Sequence, residues 1–369
     1  MKNVCNKNQC TGCMACVDIC AKKAIRIEDN LEAYNAVIDD KKCVNCNACK
    51  KVCQKNSQVQ TVHPVSWYQG WISDSNARNK SSSGGFAHAI SRAFVDDGGV
   101  VCSCTFKNGQ FVYDFAENSS ELPKFLGSKY VKSNPTGVYV PIRRYLQQGR
   151  KVLFIGLPCH VAGLKKYLQV ELQSQLYTAD LICHGTPSPN LLNAFLQQYN
   201  RPLASMSKII FRVKAKMQIH GDDKGIITKG VSDKYTIAFL NGLIYTENCY
   251  KCDYAKIERV SDITLGDSWG SELPVDEQRK GISLALCQTT KGEELLQKSN
   301  VELFAVDLAK AVESNHQLEN PSVEPKNRRK FFRAIKKGHG FNLLVFIEFP
   351  KQCLRQDVKE LLIHLKLIK

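Results

Sequence analysis

The sequence predicts a small α+β domain organised around cysteine clusters, followed by a larger α/β domain. Three observations predict this. Cysteine is the compositional outlier, with 17 residues in a chain of 369. Cys10, Cys13, Cys16 and Cys20 recur as Cys43, Cys46, Cys49 and Cys53, each shifted by the same interval, so the first 60 residues hold an internal repeat. Between residues 151 and 182 a strand, a helix and a second strand follow one another at the length of a right-handed parallel unit.

The repeat comes first because its chemistry is the most specific. Each copy reads CxxCxxCxxxC. Three cysteines at i, i+3 and i+6 wrap a loop around three corners of a [4Fe-4S] cube, and the fourth reaches the other cluster. By that rule one site is Cys10, Cys13, Cys16 and Cys53, and the other is Cys43, Cys46, Cys49 and Cys20. Small or turn-friendly residues such as Gly12, Ala15, Asn45 and Ala48 let backbone amides approach the sulfurs. Structural zinc uses four thiols in paired CxxC hooks with no third cysteine at i+6, so the triple spacing disfavours it. Ala21 and Gln54 stand where proline commonly follows the fourth cysteine, which loosens a turn without removing a ligand. After Cys20, Ala21 to Glu28 reads as a helical turn and then a strand. The expected start is therefore an α+β ferredoxin-like two-cluster domain.

Beyond it, Trp67–Ile72 has strand character, Phe86 to Val95 reads as a helix, and Val100 to Phe106 as a strand. Asp96-Asp97-Gly98-Gly99 separates the last two. Lys151 to Ile155 is a buried strand, Cys159 to Leu168 a helix, Leu176 to Ile182 a strand, and Asn190 to Tyr199 a helix. Ser207–Val213, Tyr235–Leu240 and Ile263–Gly266 are the strands expected after that.

The formal charge of +16 counts cysteine as neutral. Each cubane held by four thiolates carries about −2, so three clusters bring the total to about +10. Lys22, Lys41, Lys42 and Lys51 then offset cluster charge, and no nucleic-acid partner is expected. No run reaches the roughly 18 apolar residues of a membrane span, and no apolar signal run opens the chain. Tightly spaced thiols that bind iron need a reducing compartment, so a cytoplasmic location is expected. Residues 326–369 carry twelve Lys/Arg against three Asp/Glu, with Val358, Leu361, Leu362, Leu365 and Ile368 at helical spacing. The favoured reading is a helix capping the core with a solvated basic face. Docking of an acidic partner or contact with an anionic membrane surface is the less favoured one.

Nine cysteines remain. Cys159 and Cys183 each stand where a parallel strand ends and a helix or turn begins, and adjacent parallel strands bring such ends to one rim. With Cys249 and Cys252 of a further CxxC they complete a third four-thiol set. Spacing alone leaves this open against buried free thiols, and His184 is an alternative fourth ligand. Cys102 and Cys104 share a strand face and read as small apolar residues. Cys5, Cys287 and Cys353 have no partners in register.

Clusters pass single electrons, while organic substrates usually take two, and a flavin bridges that difference. No GxGxxG is present. Ser81-Ser82-Ser83-Gly84-Gly85 opens a helix, a place for phosphate oxygens, and Gly127-Ser128-Lys129-Tyr130 could add a cation and a ring. A capping serine, a surface lysine and a core tyrosine are the plain alternatives.

These segments carry a resemblance. With Gly149 to Cys159, Asp180 to Gly185, Cys249 to Cys252, Arg259, Ser261-Asp262-Ile263-Thr264 and Gly266-Asp267-Ser268-Trp269-Gly270, the chain resembles the beta subunit of coenzyme F420 hydrogenase/dehydrogenase. The form it resembles has an N-terminal two-cluster ferredoxin domain. The resemblance covers most of residues 80–270 and weakens after about 330. It implies a larger α/β flavin- and cluster-binding domain, with FAD, at least one further [4Fe-4S] cluster and exchange with F420 or another small organic substrate. It supports Ser82, Ser83, Gly84, Gly85 and Lys129 as flavin neighbours, and Cys159, Cys183, Cys249 and Cys252 as ligands. The expected division is a cluster domain at 1–60, the two parts of the family domain at 61–145 and 146–330, and a basic tail at 331–369. Thr246-Glu247-Asn248 stands where many members carry Arg-Pro-Ser, so the substrate pocket can differ. Asp262 or Asp267 could position a substrate, but a structural turn with Trp269 filling the core is favoured, and no catalytic residue is assigned. The leading expectation is a flavin-dependent iron–sulfur oxidoreductase fed by a ferredoxin-like donor. A non-catalytic electron-transfer subunit docked on a partner enzyme is the alternative, and a cluster-based sensor a distant third.

Overall fold

Residues 2–60 fold around their thiols with little regular structure. In the computed structural model, which describes residues 2–367, Tyr34–Ile38 is the middle strand of a small antiparallel sheet, between Lys2–Asn3 and Ile25–Asp29. Two one-turn helices, Ala15–Asp18 and Ala48–Lys51, occupy equivalent places in the two repeats. The repeat extends to the backbone. Gly12 and Asn45 take φ of +74° and +56°, and Met14 and Asn47 take +61° and +59°. Such left-handed residues turn successive amides toward a common point, a concavity suited to anionic sulfur.

The larger region is built on an eight-stranded mixed sheet: β1 (Ser66–Ile72), β2 (Val100–Lys107), β3 (Gln110–Ala116), β4 (Val152–Ile155), β5 (Leu176–Leu181), β6 (Ile263–Asp267), β7 (Ser283–Cys287) and β8 (Val301–Phe304). Their spatial order is β8-β1-β7-β6-β5-β4-β2-β3. The central strands β2, β4, β5 and β6 are parallel, and the flanking pairs are antiparallel. All four residues of β4 are buried, as a strand covered on both faces requires. The helix Pro158–Tyr167 follows β4 directly, so Cys159 sits in its first turn, and Cys183 lies two residues beyond β5 on the same rim.

Two expectations fail here, and three strands were not anticipated. Tyr235–Leu240 is a helix, Lys234–Leu240, and not a strand. Its β-branched and aromatic residues suggested a strand, but Asp233 caps it, accepting from the Thr236 amide at 2.7 Å. Gln110–Ala116, Ser283–Cys287 and Val301–Phe304 are strands that the pattern did not reveal. The tail helix forms, over Pro350–His364, but its apolar stripe does not pack on the core. Val358 and Leu361 are 47% and 57% exposed, Leu365 is exposed too, and Cys353 is the helix's buried residue. Ile368 lies outside the described residues. No helix among the described residues is long and apolar enough to cross a membrane.

Candidate functional site

Cys10, Cys13, Cys16 and Cys53 are all buried in one core cluster. Their thiols feel one another. Burial first, then Cys10 and Cys53, push the Cys13 thiol up to about 12. Burial followed by Cys13, Cys10 and Cys53 drives Cys16 well above its usual value. Backbone amides point at these sulfurs, Gly12 toward Cys10, Ala15 toward Cys13, and Lys55 and Asn56 toward Cys53. Cys5, which spacing left without a partner, is buried and hydrogen-bonds with Cys10 and Cys53.

The second set lies nearer the surface. The Cys49 thiol is raised by burial first and then by Cys20 and Cys43, and Cys46 is exposed in the same loop. The Asn45 amide donates to Cys43 Sγ at 3.4 Å and the Ala24 amide to Cys20 Sγ at 3.3 Å. Cys16 is also influenced by Cys49, so the two sets adjoin.

A third set lines one cavity. Cys159, Cys183, Cys249 and Cys252 share its wall with Thr11, Lys132, His184, Tyr254 and Arg259. Cys249 and Cys252 come from the short turn Glu247–Lys251 and the residue after it. Burial, then Cys249 and Cys252, push the Cys183 thiol up to about 12. Gly185 and Tyr254 amides serve Cys183 and Cys252, and the Asn248 side-chain amide donates to Cys249 Sγ at 3.7 Å. His184 lies on the same wall, with Nδ1 hydrogen-bonded to Gln317 Nε2 at 2.8 Å. Among the described residues no group of His, Cys, Asp or Glu is arranged to hold a single metal ion. The donor set of each site is nonetheless thiol-only and ringed by N–H groups, the chemistry that suits a cluster's ligand sulfurs.

The first and third sets press together. The helix carrying Cys159 crosses the first set so closely that a Cβ on Gly163 would stand 2.8 Å from Cys13 Cβ and 2.9 Å from its Sγ. Gly163→Ala is therefore expected to cost about 1–3 kcal/mol by overpacking, read as a lowered midpoint in thermal unfolding, with iron lost earlier on heating.

A second cavity of about 310 Å³ opens beside the third set, within the size range of cofactor sites. The two cavities share Leu157, Cys183, His184, Gly185 and Thr186. Ser82, Ser83 and Gly85 line it at the N-terminus of the helix Phe86–Asp96. Gly84 does not; a Cβ there would run into the Gly70 and Ser283 backbone of the sheet. The Ser128 amide donates to Ser82 Oγ at 2.9 Å and joins the two loops. Lys129 lines the cavity with its ammonium turned to the Phe125 and Leu126 carbonyls, at 2.7 and 3.0 Å, and burial lowers its pKa. Cys104, expected as a packing residue, also reaches this wall.

Sequence reasoning missed Arg212. It forms a two-pronged pair with Asp267 at 2.6 and 3.1 Å, and donates to Tyr130 OH at 3.1 Å and Ser82 O at 2.9 Å. A lone arginine in the apolar strand Ile209–Val213 was the available signal. Asp267 thus belongs to the cavity wall. Trp269 is 43% exposed on that wall and does not fill the core. Asp262 is structural, accepting from the Thr178 amide at 2.8 Å and hydroxyl at 2.7 Å.

Two thiol-rich repeats joined to an α/β sheet whose rim carries four more cysteines define an iron–sulfur protein. Part of this chain is similar to the coenzyme F420 hydrogenase/dehydrogenase beta-subunit family. Residues 149–308 match the family model for the C terminus of the coenzyme F420 hydrogenase/dehydrogenase beta subunit, and residues 9–57 match a 4Fe-4S dicluster domain. The N-terminal region accordingly binds two [4Fe-4S] clusters. A search of curated proteins gave no match. Among solved structures, a chain of the xenon-derivatised F420-reducing [NiFe] hydrogenase complex from Methanosarcina barkeri superposes with a TM-score of 0.50 at 17% identity. The match covers 70% of this chain and 91% of that one, and at this identity it speaks for the fold.

Proposed function

We propose that this chain is a flavin-dependent iron–sulfur oxidoreductase that moves electrons between a ferredoxin-like protein and F420 or another small organic substrate. The observation that carries the reading is the shared wall, Leu157 and Cys183 to Thr186, between the third thiol set and the larger cavity. The order follows from burial and adjacency. Cys46 is exposed, the Cys10 set is buried behind it, Gly163 presses the Cys10 set against the helix of Cys159, and Cys183 borders the cavity.

The residues present suit the groups proposed. Cys10, Cys13, Cys16 and Cys53 would hold one cluster, Cys43, Cys46, Cys49 and Cys20 the second, and Cys159, Cys183, Cys249 and Cys252 the third. When bound in the larger cavity, FAD would supply the hydride chemistry and the change from two electrons to one. The serine loop presents hydroxyls and helix-terminal amides to phosphate oxygens. Lys129 adds a buried positive charge, and the Arg212–Asp267 pair fixes the Tyr130 and Ser82 walls. Phe86, Leu122, Phe125 and Phe239 give the cavity an apolar side against which a planar ring can pack. Thiolate ligation of iron needs reduced cysteine, which suits a cytoplasmic setting.

Lys132 sits between the first and third sets. It is 2% exposed and donates to Thr11 O at 3.1 Å; its charge opposes the rise that burial imposes on the Cys159 thiol and adds to the lowering of Cys10 that the Cys5 hydrogen bond begins. A positive charge there favours the reduced, more negative clusters. Lys132→Met is expected to lower at least one cluster midpoint potential by on the order of 50 mV, measured by EPR-monitored redox titration.

The test of the whole reading is anaerobic purification with iron and flavin counted per chain. About twelve irons and one FAD, with flavin bleaching by F420H2, NADH or reduced ferredoxin, supports the enzyme. About eight irons and no flavin supports the alternative, a non-catalytic electron-transfer subunit. That second reading draws on the similar fold's presence in a hydrogenase complex.

A further inference from the structure

The tail helix Pro350–His364 is mounted with its polar face inward. Gln356 accepts from the Ser232 amide at 3.0 Å, Glu360 from the Thr228 hydroxyl at 2.6 Å, and Asp357 pairs with Lys234. Gln352 accepts from Asn241 Nδ2 at 2.8 Å. Both of the helix's acidic residues, Asp357 and Glu360, have partners on the protein side, Asp357 while still 45% exposed. The side turned to solvent carries Leu354, Val358, Leu361 and, just past the helix, Leu365. Lys351 and Arg355 are exposed among them, and Lys366 follows. The preceding helix Phe341–Glu348 adds exposed Leu343, Phe346 and Ile347. Of the twenty exposed large apolar side chains among the described residues, eight fall between 343 and 367, so this is a concentrated patch and not scattered surface.

We infer that this face lies on an anionic bilayer surface. Aliphatic side chains interleaved with cations along one side of a helix, whose flanking acid Asp357 is neutralised by Lys234, match the interface of acyl chains and negatively charged headgroups. The other occupants fit less well. In a two-fold contact with a second copy, the same cationic face would meet itself. Protein interfaces favour Trp, Tyr, Phe, Met and Arg and deplete Lys; the outward side of this helix carries Lys351, and of the favoured types only Arg355. Basic residues at the edges of the stripe can reach the headgroups while their stems cover apolar area.

The test uses the anaerobically purified full chain and sedimentation with vesicles of neutral phosphatidylcholine or of phosphatidylcholine with phosphatidylglycerol. The chain is expected to sediment with the anionic vesicles, weakly with the neutral ones, and less at high salt. Lys351→Glu/Arg355→Glu should weaken binding at least about tenfold, and Leu354→Ser/Val358→Ser should weaken it comparably. Both pairs are surface changes, so iron content and visible absorbance should stay as in the parent. No binding to anionic vesicles overturns the inference, as does binding that neither pair affects. A concentration-dependent dimer abolished by Leu354→Ser/Val358→Ser also overturns it and assigns the face to a second copy, and retention of the chain by an acidic protein partner in place of vesicles assigns it to that partner. None of these outcomes bears on iron or flavin content, so the redox reading stands or falls separately.

Discussion

Cys183→Ala is expected to lower the iron content from about twelve to about eight atoms per chain and to slow flavin reduction by a protein donor at least ~100-fold. Cys183 lines both the third set's cavity and the larger one, so on the proposed reading its loss would remove a cluster ligand and open that wall. The two sets of the N-terminal region do not use it, and their eight irons should remain. Reduction of the flavin by a small diffusing reductant should be far less affected than reduction by a ferredoxin. Iron analysis, EPR and stopped-flow bleaching check this. A variant that keeps all twelve irons and its rate would remove Cys183 from the pathway.

Arg259→Leu is expected to destabilise the fold by about 3–5 kcal/mol, because it leaves a buried carboxylate without its partner. Arg259 is 1% exposed. It donates to Asp180 Oδ1 at 3.3 Å, to Leu181 O at 2.6 Å and to the Tyr254 carbonyl. It therefore ties the end of β5, which leads to Cys183, to the segment after Cys252. Burial raises the Asp180 pKa, and Arg259 opposes that rise. Without the guanidinium the carboxyl is pushed up further and takes a proton in the folded state. A raised folded-state value stabilises at low pH and loses that contribution as pH rises. The variant's deficit should thus be smallest near the usual aspartate range and grow above it. Thermal unfolding at several pH values measures the deficit and its sign.

The chemistry was legible because cluster binding needs several cysteines at fixed short spacing. The two triplets and their backbone follow one interval, and the left-handed residues at 12, 14, 45 and 47 follow it too. The parallel strands were legible because β4 is a continuous apolar run and both β4 and β5 lead into turn residues. What was not legible depends on partners far along the chain. The pairing of Arg212 with Asp267 spans 55 positions, and the lone arginine in its apolar strand signals a buried charge without naming its partner. Trp269 reads as core by type, yet the bend after β6 leaves it on a cavity wall. Lys234–Leu240 misled because packing and an aspartate cap outweighed strand-favouring side chains. The tail stripe misled because amphipathicity gives a helix its two faces without saying which one the protein takes. Cys5 carried no spacing signal and meets Cys10 and Cys53 just past the edge strand Lys2–Asn3 of the small sheet.

The contact of Gly163 with Cys13 has a consequence for how the molecule is assembled. Val4, Tyr34, Tyr139, Phe154, Val161 and Tyr254 all belong to one apolar core that runs through both regions. The cysteine repeat is therefore not a detachable cartridge. Cutting it away would strip solvent protection from the helix that bears Cys159, and grafting it onto another scaffold would leave its own inner face bare.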